Sequence, residues 1–200
     1  MSGDGNNTSG DLALDRLVFF SDAVFAIAIT LLVLEIHIPD LQPGASTASS
    51  WQAFADLVPS FFAFALSFLV IGRFWMGHHE RFRSLRHYDP RLMWTNLLYL
   101  MAIAFMPFST AFLGRNLGHF VPSMVYNLSM LVLSLMAMLL ARRVRTVGGD
   151  GEALDGIDLV MASLVCVGLT FWFPLLSQWG MMTIPLWTWL EKRYYSARPA

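Results

Sequence analysis

The sequence is poor in charge and nearly free of cysteine. Only 14% of its 200 residues are charged while 56% are hydrophobic, and the mean hydropathy is +0.55. That leaves too little polar surface to coat a water-soluble globule, so a membrane protein is expected. The one cysteine, Cys166, sits in an apolar run. It excludes an internal disulfide and any CxxC redox or metal motif, and reads as a small packing residue. A formal net charge of -1 gives no general attraction to nucleic acid. Residues 1–14, rich in Gly, Ser, Asn and Asp, lack the basic start and apolar stretch of a secretory signal peptide. They read as a disordered tail, with a second short tail over 196–200. Internal repeats and a soluble domain are missing too, and no nucleophile is matched with a base, so the chain is not expected to be an enzyme.

What is present is a series of apolar runs near the roughly 20 residues that a helix needs to cross a hydrocarbon core of about 30 Å. Residues 17–34, 57–76, 92–113 and 120–141 are four of them, with Arg73 placed to snorkel to the interface. From Leu159 to Leu190 no charge occurs, which at 1.5 Å per residue is too long for one span, roughly 48 Å. This stretch is expected to fold back near Pro174 and the Ser177, Gln178, Trp179, Gly180 cluster, with Pro185 making the second arm irregular. Six spans with both termini cytoplasmic put every Lys and Arg except Arg115 on the inner side. The expected architecture is therefore all-α, a multi-pass protein of the cell membrane with six transmembrane helices over residues 15–195. Trp187, Trp189, Tyr194 and Tyr195 would form an aromatic anchor at the inner interface.

Few residues in these spans can carry chemistry. Asp22 lies inside the first span, where a carboxylate costs about 2.5 to 3.5 kcal/mol unless it finds partners or water. Fixing the packing of the helix end is the simpler role for it, and direct ion contact the other. At about 100° per residue, Ala23, Ile27, Thr30, Leu31 and Leu34 share one face of the first helix. Periodicity alone reads that face as ordinary packing; copies of it around an axis would instead form stacked apolar rings with one hydroxyl ring, able to gate by dewetting. His78, His79 and Glu80 lack the i, i+4 spacing of a zinc site, so no metal is expected. A buried hydrogen bond from one of the histidines to Asp22, Ser21 or Asn96 explains their depth. Asn96 reads as interhelical glue with a polar partner. The arginines around the second loop, Arg81, Arg83, Arg86 and Arg91, with His87 among them, read as the topological determinant.

The run Arg16-x-x-x-Phe20-Ser21-Asp22, continuing through Ala23, Ile27, Thr30, Leu31 and Leu34 to Glu35, resembles the signature of the endolysosomal-type potassium channels. These form the transmembrane protein one-seventy-five family. The likeness continues through Trp75-x-x-His78, Asn96 and Phe105-x-Pro107-Phe108. It implies a prokaryotic member with one six-helix unit per chain, a homotetramer whose first helices line a central pore. In keeping with that, the sequence has no TVGYG-like carbonyl filter. By the resemblance, Ile27 is the main constriction and gate, Leu31 and Leu34 the next layers, and Thr30 the hydroxyl associated with potassium preference. Arg16, Phe20, Ser21, Asp22, Trp75, His78 and Asn96 would form the structural network that supports the pore. Beyond residue 115 no motif is diagnostic, and the last three helices are expected to be scaffold.

The expected function is a passive, potassium-permeable cation channel, with no cofactor besides the permeant ion, and with itself, membrane lipid and potassium ions as partners and no nucleic acid. The alternative is a proton-coupled secondary transporter using Asp22 and His78 as a relay. Such proteins usually show repeated halves with broken helices, which this sequence lacks.

Overall fold

A computed structural model describes residues 4–83, 85, 89–147 and 156–196, and for 4–11, 191, 192 and 194–196 the backbone alone. Arg86, His87, Arg198 and most of the short C-terminal tail lie outside the described residues, as do the side chains of Lys192, Tyr194 and Tyr195. All regular structure in the described residues is helical: α1 (Asp4–Leu34), α2 (Thr47–Ala55), α3 (Val58–Arg83), α4 (Pro90–Arg115), α5 (Phe120–Thr146), α6 (Ile157–Thr170) and α7 (Ile184–Ser196). A 3-10 segment, Ser177–Thr183, precedes α7.

α1, α4, α5 and the continuous stretch of α2 with α3 are long and apolar enough to cross a membrane. Two expectations need correction. Most of the N-terminal stretch read as a disordered tail is helical, because α1 starts at Asp4, well before its apolar part begins at Leu12. Once a helix is nucleated, each added residue gains a hydrogen bond for two fixed dihedrals, so a formed span extends readily into polar sequence. The second correction concerns the last two spans. The chain does fold back after α6, but α6 has 14 residues and is roughly 21 Å long, short of a bilayer core. The returning arm is the 3-10 segment followed by α7. Ser177–Gly180 belongs to that 3-10 segment, and the reversal lies just before it, around Pro174. Pro185 accounts for the change of helix type: it has no N–H and its ring would clash with the Met181 carbonyl in a continuous α-helix. In the first turn of α7, where its missing N–H matters least, it is tolerated.

α1 packs on α3 and α4, α4 on α5, and α5 on α6, which is covered by the 3-10 segment and α7. Between the first three lie Phe25, Leu32, Ile71, Phe74, Tyr99 and Ile103, all buried. Apolar packing gives little preference for helix over lipid, so small and polar residues set the contacts. Thr110 Oγ1 donates to Ser67 Oγ at 2.8 Å, and Ser67 shares a hydrogen with the Tyr126 hydroxyl at 3.1 Å, linking α4, α3 and α5. Asn127 Nδ2 donates to Thr170 Oγ1 at 2.8 Å and Ser177 Oγ at 2.9 Å, tying α5 to both sides of the reversal. Ser134 and Ser163 meet at 2.9 Å, and Thr188 donates to the buried Asp158 at 2.9 Å, which pins α7 to the start of α6.

Gly180 shows how close this approach is. A Cβ there would lie 2.7 Å from Cys166 Sγ and 3.1 Å from the Cys166 backbone nitrogen. Gly180→Ala is therefore expected to cost about 1 to 3 kcal/mol, because the 3-10 segment must lift off α6. Thermal unfolding in detergent measures it, and an unchanged midpoint would contradict this packing. At the far end of α7 the Arg193 guanidinium lies over the exposed Trp189 ring at 5.2 Å, and Trp187 Nε1 donates to Thr183 Oγ1 at 3.0 Å.

Candidate functional site

Successive residues on a helix point about 100° apart, and at positions 20–22 of α1 this sends three side chains to three different surroundings. Phe20 points away from the bundle, 51% exposed. Ser21 is fully buried against α4, where its hydroxyl accepts a hydrogen bond from Asn96 Nδ2 at 2.8 Å and donates to the Leu17 carbonyl at 2.8 Å. Asp22 turns toward α3, and its carboxylate accepts from Trp75 Nε1 at 2.9 Å.

Asn96 joins the helices. Its Oδ1 accepts from His78 Nε2 at 2.9 Å, so one amide holds Ser21 of α1 and His78 of α3 from its place on α4. Because Oδ1 can only accept, the imidazole hydrogen is on Nε2. His78 Nδ1 has no hydrogen-bond partner among the described residues. The ring is enclosed by aromatics: stacked on Phe82 with centroids 4.2 Å apart, parallel to Tyr99 at 5.7 Å and tilted to Phe25 at 5.6 Å. The Tyr99 hydroxyl donates to the Phe74 carbonyl at 3.2 Å, a second tie between α4 and α3.

Five of the seven residues expected in the supporting network therefore meet: Ser21, Asn96 and His78 in one relay, Asp22 and Trp75 in a separate pair. Arg16 and Phe20 do not join them. Both stand on the exposed side of α1, bordering an open hollow of about 470 Å³ with Leu12, Asp15, Phe19 and Ala23. His79 lies against Trp75, ring centroids 5.8 Å apart. Phe25 and Tyr99, which complete the cage around His78, escaped the sequence reading. An aromatic in an apolar span looks like any core residue, and only the polar neighbour distinguishes these two.

Ala23, Ile27, Thr30, Leu31 and Leu34 are all exposed, Ile27 by 59% and Leu34 by 70%. The buried positions Leu17, Ser21, Phe25, Ala28 and Leu32 occupy the other side, their mean direction more than about 130° away round the helix. The Thr30 hydroxyl donates to the Ile27 carbonyl at 2.9 Å, which leaves its oxygen lone pairs facing outward. Just beyond Leu34, Glu35 and His37 meet Arg115 from the end of α4. The guanidinium Nη2 lies 3.5 Å from the Glu35 carboxylate and 2.6 Å from His37 Nδ1, an exposed contact between the end of α1 and α4. No group of three His, Cys, Asp or Glu able to hold a metal occurs among the described residues.

Because Asp22 is partly buried with one neutral donor among the described residues, its removal leaves one indole N–H on the exposed Trp75. Asp22→Ala is expected to cost about 1 kcal/mol or less. The unfolding midpoint in detergent tests this, and a loss of several kcal/mol would show that Asp22 carries more than the Trp75 contact.

A family model described as endosomal/lysosomal potassium channel TMEM175 matches residues 16–107, the part of the chain holding the relay, the Asp22–Trp75 pair and the exposed stripe. A potassium channel of Streptomyces collinus is 42% identical over 125 residues, 60% of this chain and 59% of that protein. A potassium channel of a Chryseobacterium species is 30% identical over 141 residues, 70% of this chain and 69% of that protein. The match to the Streptomyces relative thus spans less than two thirds of its length. Among solved structures, the crystal structure of a lysosomal potassium-selective channel TMEM175 homolog from Chamaesiphon minutus superposes with TM-score 0.75 at 29% identity, covering 90% of this chain and 98% of that one. These descriptions are of ion channels and not of enzymes. With the Ser21–Asn96–His78 relay in the matched region and the Chryseobacterium relative aligned over most of its length, the chain belongs to the TMEM175 potassium channel family.

Proposed function

We propose that the protein is a passive, potassium-permeable cation channel of the cell membrane, in which four copies place their α1 helices around a central pore. The observation that carries this is the division of α1 into two faces. Ser21, Phe25, Ala28 and Leu32 bind it to its own bundle, and Ala23, Ile27, Thr30, Leu31 and Leu34 are left for the axis. In this arrangement Ile27 forms the narrowest ring and the gate, Leu31 and Leu34 form further apolar rings, and Thr30 supplies a ring of hydroxyl oxygens. A ring of aliphatic side chains passes ions only when it is wide enough to stay wet, and it offers no oxygen cage in place of the hydration shell. Selection for potassium is therefore modest, and rests on Thr30 and on pore width. Arg16 and Phe20, exposed on the side of α1 away from the relay, act between copies at the cytoplasmic end. Both termini are cytoplasmic, following the distribution of arginines.

The proton-coupled transporter is the weaker reading. Asp22 bonds to Trp75 and His78 to Asn96, so the two groups of that relay are directed to different partners. Reconstitution into planar bilayers under a potassium gradient tests the channel: current is expected to reverse near the potassium equilibrium potential. Absence of current, or reversal at the chloride potential, would refute it, and saturating flux coupled to pH would favour the transporter. Native mass spectrometry in detergent is expected to give four copies; a monomer has too few α1 helices to enclose a pore.

A further inference from the structure

A groove of about 410 Å³ runs along α3 on the side covered by the reversal, walled by Phe62, Leu66, Leu69, Val70, Met130 and Met182, with Arg73 at its cytoplasmic end. We propose that this groove binds one acyl chain of an anionic phospholipid of the inner leaflet, with the lipid phosphate on Arg73. Three observations carry the assignment. From Phe62 to Phe74 the groove follows α3 for twelve residues, roughly 18 Å, against about 15 Å for half the hydrocarbon core. Its wall is almost wholly aliphatic and aromatic, the surface that a hydrocarbon tail covers and water does not. The third is charge. The Arg73 guanidinium is turned toward the cytoplasmic end, so that a Cβ on Gly77 would lie 3.4 Å from Nη1 of both Arg73 and Arg81. Arg73, which lines the end of this apolar groove and is only partly buried, supplies the charge that a phosphate diester complements, whereas Arg81 is 6% exposed and outside the groove wall.

Gln178 supplies the discriminating test. It lies in the groove wall, 1% exposed, with neither side-chain amide atom hydrogen-bonded among the described residues. A hydrocarbon tail has nothing to offer this amide, whereas a ligand with a polar group midway along it would depend on it. The site rests on the chain crossing a membrane in the orientation proposed above and not on ion conduction, so it stands or falls separately from the pore.

The experiment is native mass spectrometry of the purified protein with phosphatidylglycerol and phosphatidylcholine added at equal concentration. Phosphatidylglycerol is expected to be retained at up to one molecule per chain and preferred over phosphatidylcholine. Arg73→Gln should reduce phosphatidylglycerol retention about fivefold and remove the preference. Ala65→Trp, which fills the groove from α3, should lower retention of both lipids. Gln178→Leu should leave retention unchanged or raise it. Equal retention of the two lipids by the unmodified protein would overturn the proposal without reference to any variant. So would phosphatidylglycerol binding that is indifferent to both Arg73→Gln and Ala65→Trp, which would place the lipid on other arginines. Loss of retention in Gln178→Leu would also overturn it, because the ligand would then be a polar amphiphile seated on the amide.

Discussion

Asn96→Ala is expected to destabilise the chain by about 2 to 5 kcal/mol, the largest effect among the polar residues of the site. Asn96 is fully buried and uses both ends of its amide between helices, giving to Ser21 and receiving from His78. Truncation leaves the His78 Nε2 hydrogen with no acceptor inside a cage of Phe25, Phe82 and Tyr99, and takes the donor away from Ser21. Each such loss costs about 1 to 3 kcal/mol in a dry interior. The range is wide because helices separated within a bilayer re-pair part of their polar groups. The contrast with Asp22→Ala is the informative part, since the charged residue is partly exposed with one partner and the neutral residue is fully buried with two. Unfolding of both variants in the same detergent checks it. If Asn96→Ala melted with the wild type while Asp22→Ala fell apart, the relay would not be what holds α1 in place.

Much of this site was legible in the sequence because polar residues in apolar spans have few ways of being satisfied. Asn96 needed a polar partner and found two, and one of the adjacent histidines, His78, found a buried bond. Periodicity also grouped Ala23, Ile27, Thr30, Leu31 and Leu34 on one face, and all five share the exposed side. What periodicity cannot supply is the direction of that face. An apolar stripe has the same spacing whether it meets its own bundle, lipid or a neighbouring copy, and from spacing alone this one read as packing. The resemblance groups Arg16 and Phe20 with the network, yet they lie on the side of α1 away from it. A motif records residues needed together, and does not say whether they meet within one chain or between two. The fold was readable wherever a span is long and charge-free, as in α4 and α5. It was less readable over 157–196, where Pro185 and the close contact of Gly180 with Cys166 divide the return into a 3-10 segment and a short helix. Those are consequences of backbone geometry that hydropathy does not register. The groove beside Arg73 is of the same kind, since its walls come from four segments distant in sequence.

Ile27→Ala is expected to change ion flow and leave stability nearly untouched. The side chain is 59% exposed, so its truncation leaves little space within the bundle and the cost to the fold should stay within about 0.5 kcal/mol. If four copies bring this residue to the axis, removing the branched side chain from each widens the narrowest ring and lets it stay wet. Conductance then rises and preference for potassium over sodium falls. Leu32, five residues on, is the internal control. It is 1% exposed between α1 and the bundle, and Leu32→Ala should cost about 2 to 5 kcal/mol through the cavity it leaves, with no direct effect on permeation in whatever protein still assembles. Single-channel recording beside thermal unfolding therefore separates the two faces of α1 with one substitution on each. Should Ile27→Ala conduct as the wild type does, the exposed stripe is a lipid-facing or subunit-packing surface and the permeation path runs elsewhere. Should it instead unfold the protein, the side chain is buried between copies without forming the gate.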